Sequence, residues 1–438
     1  QIEGLTSTLV SALEVTDLAV LTTTNIATLT TTQLGGLSAA QIQALTLTQA
    51  GALTETQIAA LNITQFKGLE ATDFAALNAS QLAAVTSTQF GAITTAQLQA
   101  LSATQVSALS TTQLGGFGTT QIKALTATQA EALTITQVGG LSVTQIGALE
   151  TTDLISLSAT NVAILSTTQL GGLSAAQIKA LTTTQVSALT TTQVGGLSST
   201  QVGALETTDI AVLGTTNIVE LSTTQVAALS AAQLTALTDT QVGALTAAQL
   251  GSLSTNQVSG LEATDITALS ATQFDGLTAT QLGAFSAAQV AALSTTQIGQ
   301  LTSTQIDGLG STQVKNLTAT QIAALTTTQL NGLSTTQFGH LTATQVGALT
   351  SPQVGSISET QIAELTAAQV TGLETTDIAA LTVTQASSLT ATQLTVLSAT
   401  QIGAFEATDI AGVTTTQLDR KSTRLNSSHT DISRTPSS

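Results

Sequence analysis

Every eighth residue from Leu5 to Val413 is a large apolar one, with no slip in register across 52 consecutive octads. The unit reads Leu-[Ser/Thr]-x-[Thr/Ala]-Gln-[Ile/Val/Leu]-x-[Ala/Gly], as in Leu189 to Gly196. A short fixed period of this kind specifies an array in which each unit packs mainly on its neighbours. One octad holds too little apolar surface to offset the entropy of ordering its own backbone, so stacking is obligatory. The octads are therefore read as one continuous solenoid domain over residues 5–418, followed by a tail of different character at 419–438.

A single long helix is excluded by the period. Eight residues at about 100° each leave a drift of about 80° per octad, which would carry the apolar stripe around the helix. The chain must break and turn once per octad, and the residues indicate where. Positions 2 to 5 spell Ser/Thr-x-x-Gln, the capping box, in which a hydroxyl caps one amide and the Gln side chain reaches back. Position 5 is Gln in 41 octads, Asp in seven and Asn in three, with Leu9 the exception. Positions 6 and 9 are apolar and three apart, hence on one helical face. Gly or Ala dominates position 8, and pairs such as Gly35-Gly36 fit a helix end. Pro352 falls at position 4, in the first helical turn, where its missing N–H costs little. The expected fold is all-α, a solenoid of very short helices with one per octad, positions 1 and 6 inward and positions 3 and 7 outward. Threonine-rich runs such as Thr190-Thr191-Thr192 favour strands by propensity, so a β-solenoid is the alternative.

Substitutions mark the faces. All eight Phe occupy position 1 (Phe117, Phe285, Phe405) or position 6 (Phe66, Phe74, Phe90, Phe274, Phe338), as core residues would. Lys67, Lys123, Lys179 and Lys315 all occupy position 7, with Glu131, Asp275 and Asp307, which assigns that position to solvent.

A longer period overlies the short one. Seven octads carry Glu at position 2 and Asp at position 5: Glu14/Asp17, Glu70/Asp73, Glu150/Asp153, Glu206/Asp209, Glu262/Asp265, Glu374/Asp377 and Glu406/Asp409. Several are spaced by 56 residues, or seven octads, as duplication of a seven-octad block would leave them. The functional alternative is that Glu-x-Thr-Asp supplies oxygen ligands to Ca²⁺, a cation that wants six to eight of them. Two carboxylates are too few unless neighbouring octads contribute. Glu is also a poor N-cap, so these octads are expected to start their helix differently, with Thr at position 4 as the cap.

The formal net charge of −17 on a chain with 8% charged residues disfavours nucleic acid as a partner. Apolar runs stop at about four residues, so no segment approaches the ~20 needed for membrane insertion. Cysteine is absent, which removes disulfide and thiolate chemistry. His340, the lone histidine of the octads, has no partner base marked out by its setting. No Gly-x-Ser-x-Gly elbow, phosphate loop, zinc spacing or dinucleotide fingerprint is present, so an enzyme is not expected. Asn62, Asn78 and Asn316 fit the glycosylation pattern, which such Thr and Ser density produces by chance. The chain opens at Gln1 without an initiator Met or signal peptide, as a fragment would. The tail from about Asp419, with Arg420, Arg424 and Arg434, resembles translated sequencing-adaptor read-through and is set apart from the functional reading.

With octads such as Leu221 to Ala228, followed by Leu229, residues 5–418 resemble repeat tracts of very large bacterial proteins of the adhesin or haemagglutinin-like type. That resemblance implies a non-enzymatic stalk or spacer, secreted or attached to the cell surface and often exported by a dedicated machine. Partners would be cell-surface components, glycans or other chains of the same repeat. The alternative is a binding module that uses a Thr-rich repetitive face for ice or glycan, or a Ca²⁺-stabilised array.

Overall fold

The computed structural model describes residues 2–415 and 417. The tail beyond, including the three arginines, lies outside the described residues. Among them there are 51 α-helices of four to six residues, one in each of the first 51 octads, and no strand. The fold is the all-α solenoid expected from the capping pattern. Two compact units divide it, Gln1–Leu221 and from Ser222 onward, each built by the same rules.

The helix begins at position 3 in nearly every octad because position 2 is an extended N-cap. Thr190, for example, has φ −74° and ψ 160°, and its helix runs Thr191–Gly195. The reciprocal box closes as the sequence specifies. Gln193 N–H donates to Thr190 Oγ1 at 3.3 Å, and Thr190 N–H donates to Gln193 Oε1 at 2.9 Å. Pro352 lies within the first turn of its helix, Ser351–Ser356, where no helical N–H is lost. Asn62 and Asn78 are N-caps, accepting from the amides of Gln65 and Gln81 at 3.0 Å. Their place in the glycosylation pattern follows from that capping role.

Positions 1 and 6 form the core. Away from the ends of the array, position 6 is almost fully buried, as at Val138 and Ile146, and position 1 nearly so, as at Leu141 and Leu149. Seven of the eight Phe side chains are interior and Phe405 is half-buried; Phe66, Phe74, Phe90 and Phe117 follow one another in edge-to-face contacts with centroids 5.5 to 6.3 Å apart. Lys179 at position 7 is 65% exposed.

Within each unit a helix packs on the third helix along, as Ala127–Glu131 does on Thr151–Ser156. Hydrogen bonds between neighbouring turns span 25 residues (Gln99 to Ala124), 28 (Gln65 to Leu37) and 31 (Gln65 to Leu34). The advance per turn is thus centred on 28 residues, three and a half octads. The 56-residue sequence period then equals two turns.

Glycine at position 8 falls at the helix end, as expected, and also serves a contact between turns. No described residue has a positive φ. A Cβ on Gly36 would lie 2.5 Å from Ser7 O, and one on Gly116 only 2.1 Å from Ser87 O. Glycine here lets the helix end of one turn seat against the backbone of the turn before it. Gly115, one residue earlier, has open space around it.

Candidate functional site

The chemically distinctive group repeated through the array is the position-5 amide, and it is buried. Gln57, Gln65, Gln97 and Gln129 are each 2% exposed although polar. Each amide divides its work. Oε1 accepts from the cap amide of its own octad, while Nε2 crosses to the preceding turn. Gln65 Nε2 donates to Leu34 O at 2.8 Å and Leu37 O at 2.7 Å. Gln281 Nε2 donates to Leu250 O at 2.8 Å and Leu253 O at 2.7 Å. Leu34 O and Leu250 O also accept from the amide three residues on, while Leu37 O and Leu253 O lie where the chain turns and helical partners run out. The glutamine ladder therefore satisfies the corner of the previous turn and joins turn to turn.

The octad pattern assigns position 5 only the local box and misses the cross-turn half of its role. The signal is nevertheless present. The box accepts Glu as readily as Gln, and a helix N-terminus favours the acid, yet no octad has Glu at position 5. Gln and Asn, which combine an acceptor with a donor, hold position 5 in all but eight octads, seven with Asp and one with Leu9.

The acidic octads alter this joint. Their helices start where all others do, with Glu at the N-cap: Glu206 precedes Thr207–Val212 and Glu262 precedes Ala263–Ala268. The expected shift of the cap to Thr at position 4 does not occur, because Asp takes over the box. Asp209 Oδ2 accepts from Glu206 N–H at 2.9 Å, and Asp265 Oδ2 from Glu262 N–H at 2.7 Å. Asp73, Asp377 and Asp409 cap Glu70, Glu374 and Glu406 in the same way at 2.8 to 3.1 Å, as does Asp17 for Glu14 at 3.1 Å. The Glu carboxylates make no cap bond.

In six of the seven octads the two acids face different ways. Glu14, Glu70, Glu150, Glu206, Glu262, Glu374 and Glu406 are exposed, whereas Asp73, Asp153, Asp209, Asp265, Asp377 and Asp409 are buried and Asp17 is exposed. Burial raises the carboxyls of Asp73, Asp209, Asp265 and Asp377 above the usual range; the cap amide opposes this and the adjacent Glu adds to it. At Asp265 a further acid, Asp239, also pushes upward. Asp153 is lifted to about 6, first by burial and then by Glu150. Among the described residues no three acidic or histidine side chains come together as a metal-binding group. Lys179 Nζ lies 4.0 Å from Glu206 Oε1, an exposed pair across one turn.

Other candidate chemistry is sparse. His340 Nδ1 lies 2.6 Å from Thr336 O of its own helix, above an open groove lined by Thr335, Gly339 and Glu364. Position-2 hydroxyls are engaged in caps, and the strand scaffold that a flat threonine ladder needs is absent among the described residues. No described helix is long and apolar enough to cross a membrane.

A capped octapeptide helix, an apolar pair and a cross-turn amide, repeated throughout, define an α-solenoid repeat region whose recurrent polar groups serve the architecture. The ALTTAQ repeat matches residues 10–47, 66–103, 146–183, 176–207, 202–239, 258–295, 288–319 and 319–358, which together make up more than half of the chain. The chain belongs to the ALTTAQ repeat family. No curated protein matches it.

Proposed function

We propose that this repeat region is a non-enzymatic spacer of a large bacterial secreted or surface protein of the adhesin type, positioned outside the cell. The observation that carries this reading is the use of the position-5 amides. They are the abundant groups able to recognise a ligand, and they are spent on the joints between turns. Of the exposed side chains, Thr, Ser, Ala and Gly predominate, which suit a solvated, chemically quiet surface. A regular array lets length change by whole octads without altering any local contact, as a spacer requires. The threonine-face reading for ice or glycan is less favoured, because the position-2 hydroxyls are already bound in caps.

The test uses the intact parent protein. Removing Leu149–Ala204, seven octads, should leave adhesion per molecule unchanged while shortening the distance between cell and target. Saturable binding of the isolated repeat region to a glycan array or to host cells would refute the spacer reading.

A further inference from the structure

Asp153 occupies a slot that every regular octad fills with a hydrogen-bond donor. It is 2% exposed, and its Oδ2 has no partner, the one buried side-chain oxygen or nitrogen in that state among the described residues. Two other octads show what a side chain of this length does there. Asn161 Nδ2 donates to Leu133 O at 2.9 Å, and Asn217 Nδ2 donates to Leu189 O at 3.1 Å, both across 28 residues. The carbonyl corresponding to Leu133 and Leu189 is, for Asp153, that of Leu125. A carboxylate and a carbonyl are both acceptors and repel; a neutral carboxylic acid, isosteric with Asn, carries the missing donor.

We infer that Asp153 is a proton-binding site, a clasp in which the neutral acid donates its Oδ2–H to Leu125 O and joins two turns as Asn161 and Asn217 do. Protonation closes the clasp and ionisation opens it. The lifted carboxyl, at about 6 against an ordinary 3.8, agrees with this assignment. The charged groups around it are Glu150 on its own octad, Glu131 on the helix Ala127–Glu131, Lys179 on Ala175–Ala180, and Lys123 ending Thr119–Lys123. All four are exposed, so solvent screens them and none supplies a buried countercharge. The acid is more protonated in the folded state than in the unfolded one. Its stabilisation is therefore complete below pH 4 and lost as pH rises through about 6.

The experiment compares the full chain with Asp153→Asn. Infrared difference spectra between them should show a carboxylic-acid carbonyl band at pH 5 that disappears with a midpoint near 6. Hydrogen exchange, corrected for its intrinsic pH dependence, should show the segment 125–157 losing protection in the native chain between pH 5 and pH 8. At pH 8 Asp153→Asn should protect it roughly a hundredfold better, the plateau set by the separation between about 6 in the folded chain and the ordinary 3.8. Asp153→Gln, the residue of regular octads, should do the same and guards against a variant that fails to fold. A midpoint at the ordinary carboxylate value would overturn the clasp. So would equal protection in native chain and variants at pH 8. Protection restored at pH 8 by millimolar Ca²⁺ in the native chain alone would also overturn it, by showing that a cation fills the slot.

Discussion

The glutamine ladder makes its sharpest prediction when one rung is changed by a single atom. Gln137 is 3% exposed, and no charged residue stands on its own helix, Ile135–Gly140, or on those of the preceding turn, Ala103–Ala108 and Thr111–Gly115. Its Oε1 accepts from Thr134 N–H at 2.8 Å, and its Nε2 donates to Val106 O at 2.9 Å and Leu109 O at 2.7 Å. Gln137→Glu preserves shape and cap but replaces the donor with an acceptor. The cheapest folded response at pH 7 is to bind a proton. Holding a carboxyl with an ordinary pKa near 4.3 neutral at that pH costs about 3.7 kcal/mol, and one of two cross-turn bonds remains lost, about 1 kcal/mol. The expected local destabilisation is thus about 4–5 kcal/mol at pH 7, falling to about 1 kcal/mol at pH 4. Because each octad couples mainly to adjacent turns, the opening should be local. Hydrogen exchange at the amides of Val138 and Leu141, and over residues 103–109, should accelerate by about three orders of magnitude at pH 7 and recover on acidification. A variant as protected as the native chain at pH 7 would refute the donor requirement and leave position 5 as a cap alone.

Other substitutions test the faces and the close seams. Leu205→Asp places an unpaired charge among stacked aliphatics, Leu205 being 4% exposed, and should destabilise its turn by several kcal/mol. Lys179→Asp at an exposed position should stay within about 1 kcal/mol; equal damage from both in denaturant unfolding would invalidate the inward and outward assignment. Gly115→Ala, inside the helix Thr111–Gly115 with open space around it, should stabilise by about 0.5–1 kcal/mol. Gly116→Ala should destabilise, because its Cβ would meet Ser87 backbone that cannot swing aside. A neutral or stabilising Gly116→Ala would mean that the seam between turns is looser than described.

Much of the fold was legible because one octad contains its own local instructions. The hydroxyl at position 2 and Gln at position 5 fix where each helix starts, and the apolar residues at positions 1 and 6 fix which side is buried. These are interactions within a span of a few residues, so a single chain displays them. What acts across a turn was harder to read, because the partner stands some 28 residues away. The second half of glutamine's role belongs here, as do the glycines at Gly36 and Gly116, which fit a helix-end pattern while serving a backbone contact. In the acidic octads, the exposed glutamates were open to inspection as charges. The burial of Asp153 was not, since position 5 is polar in every octad but the first and polar residues are ordinarily placed outside.

The two periods of the chain meet in the geometry of the turn. With the advance centred on 28 residues, a block of seven octads is a whole number of turns, and the octad alone is not. Within the first unit, Glu150/Asp153 and Glu206/Asp209 therefore fall on one face two turns apart. Lys123 and Lys179 stand 27 residues before Glu150 and Glu206 respectively, and the second of these pairs closes to 4.0 Å. The copied block carries Glu150 and Glu206 each with a lysine one turn below, whereas Glu70 and Glu262 have Gln43 and Thr235 at that place. Duplication by some other number of octads would keep every helix capped and every core position filled, because those are local. It would instead rotate the acidic octads around the array. Duplication of a seven-octad block accounts for the shared spacing and for the alignment at once. Asp153 stands apart from these copies in its buried, unpartnered Oδ2, the oxygen that in Asp209, with the same octad motif, accepts from Glu206 N–H.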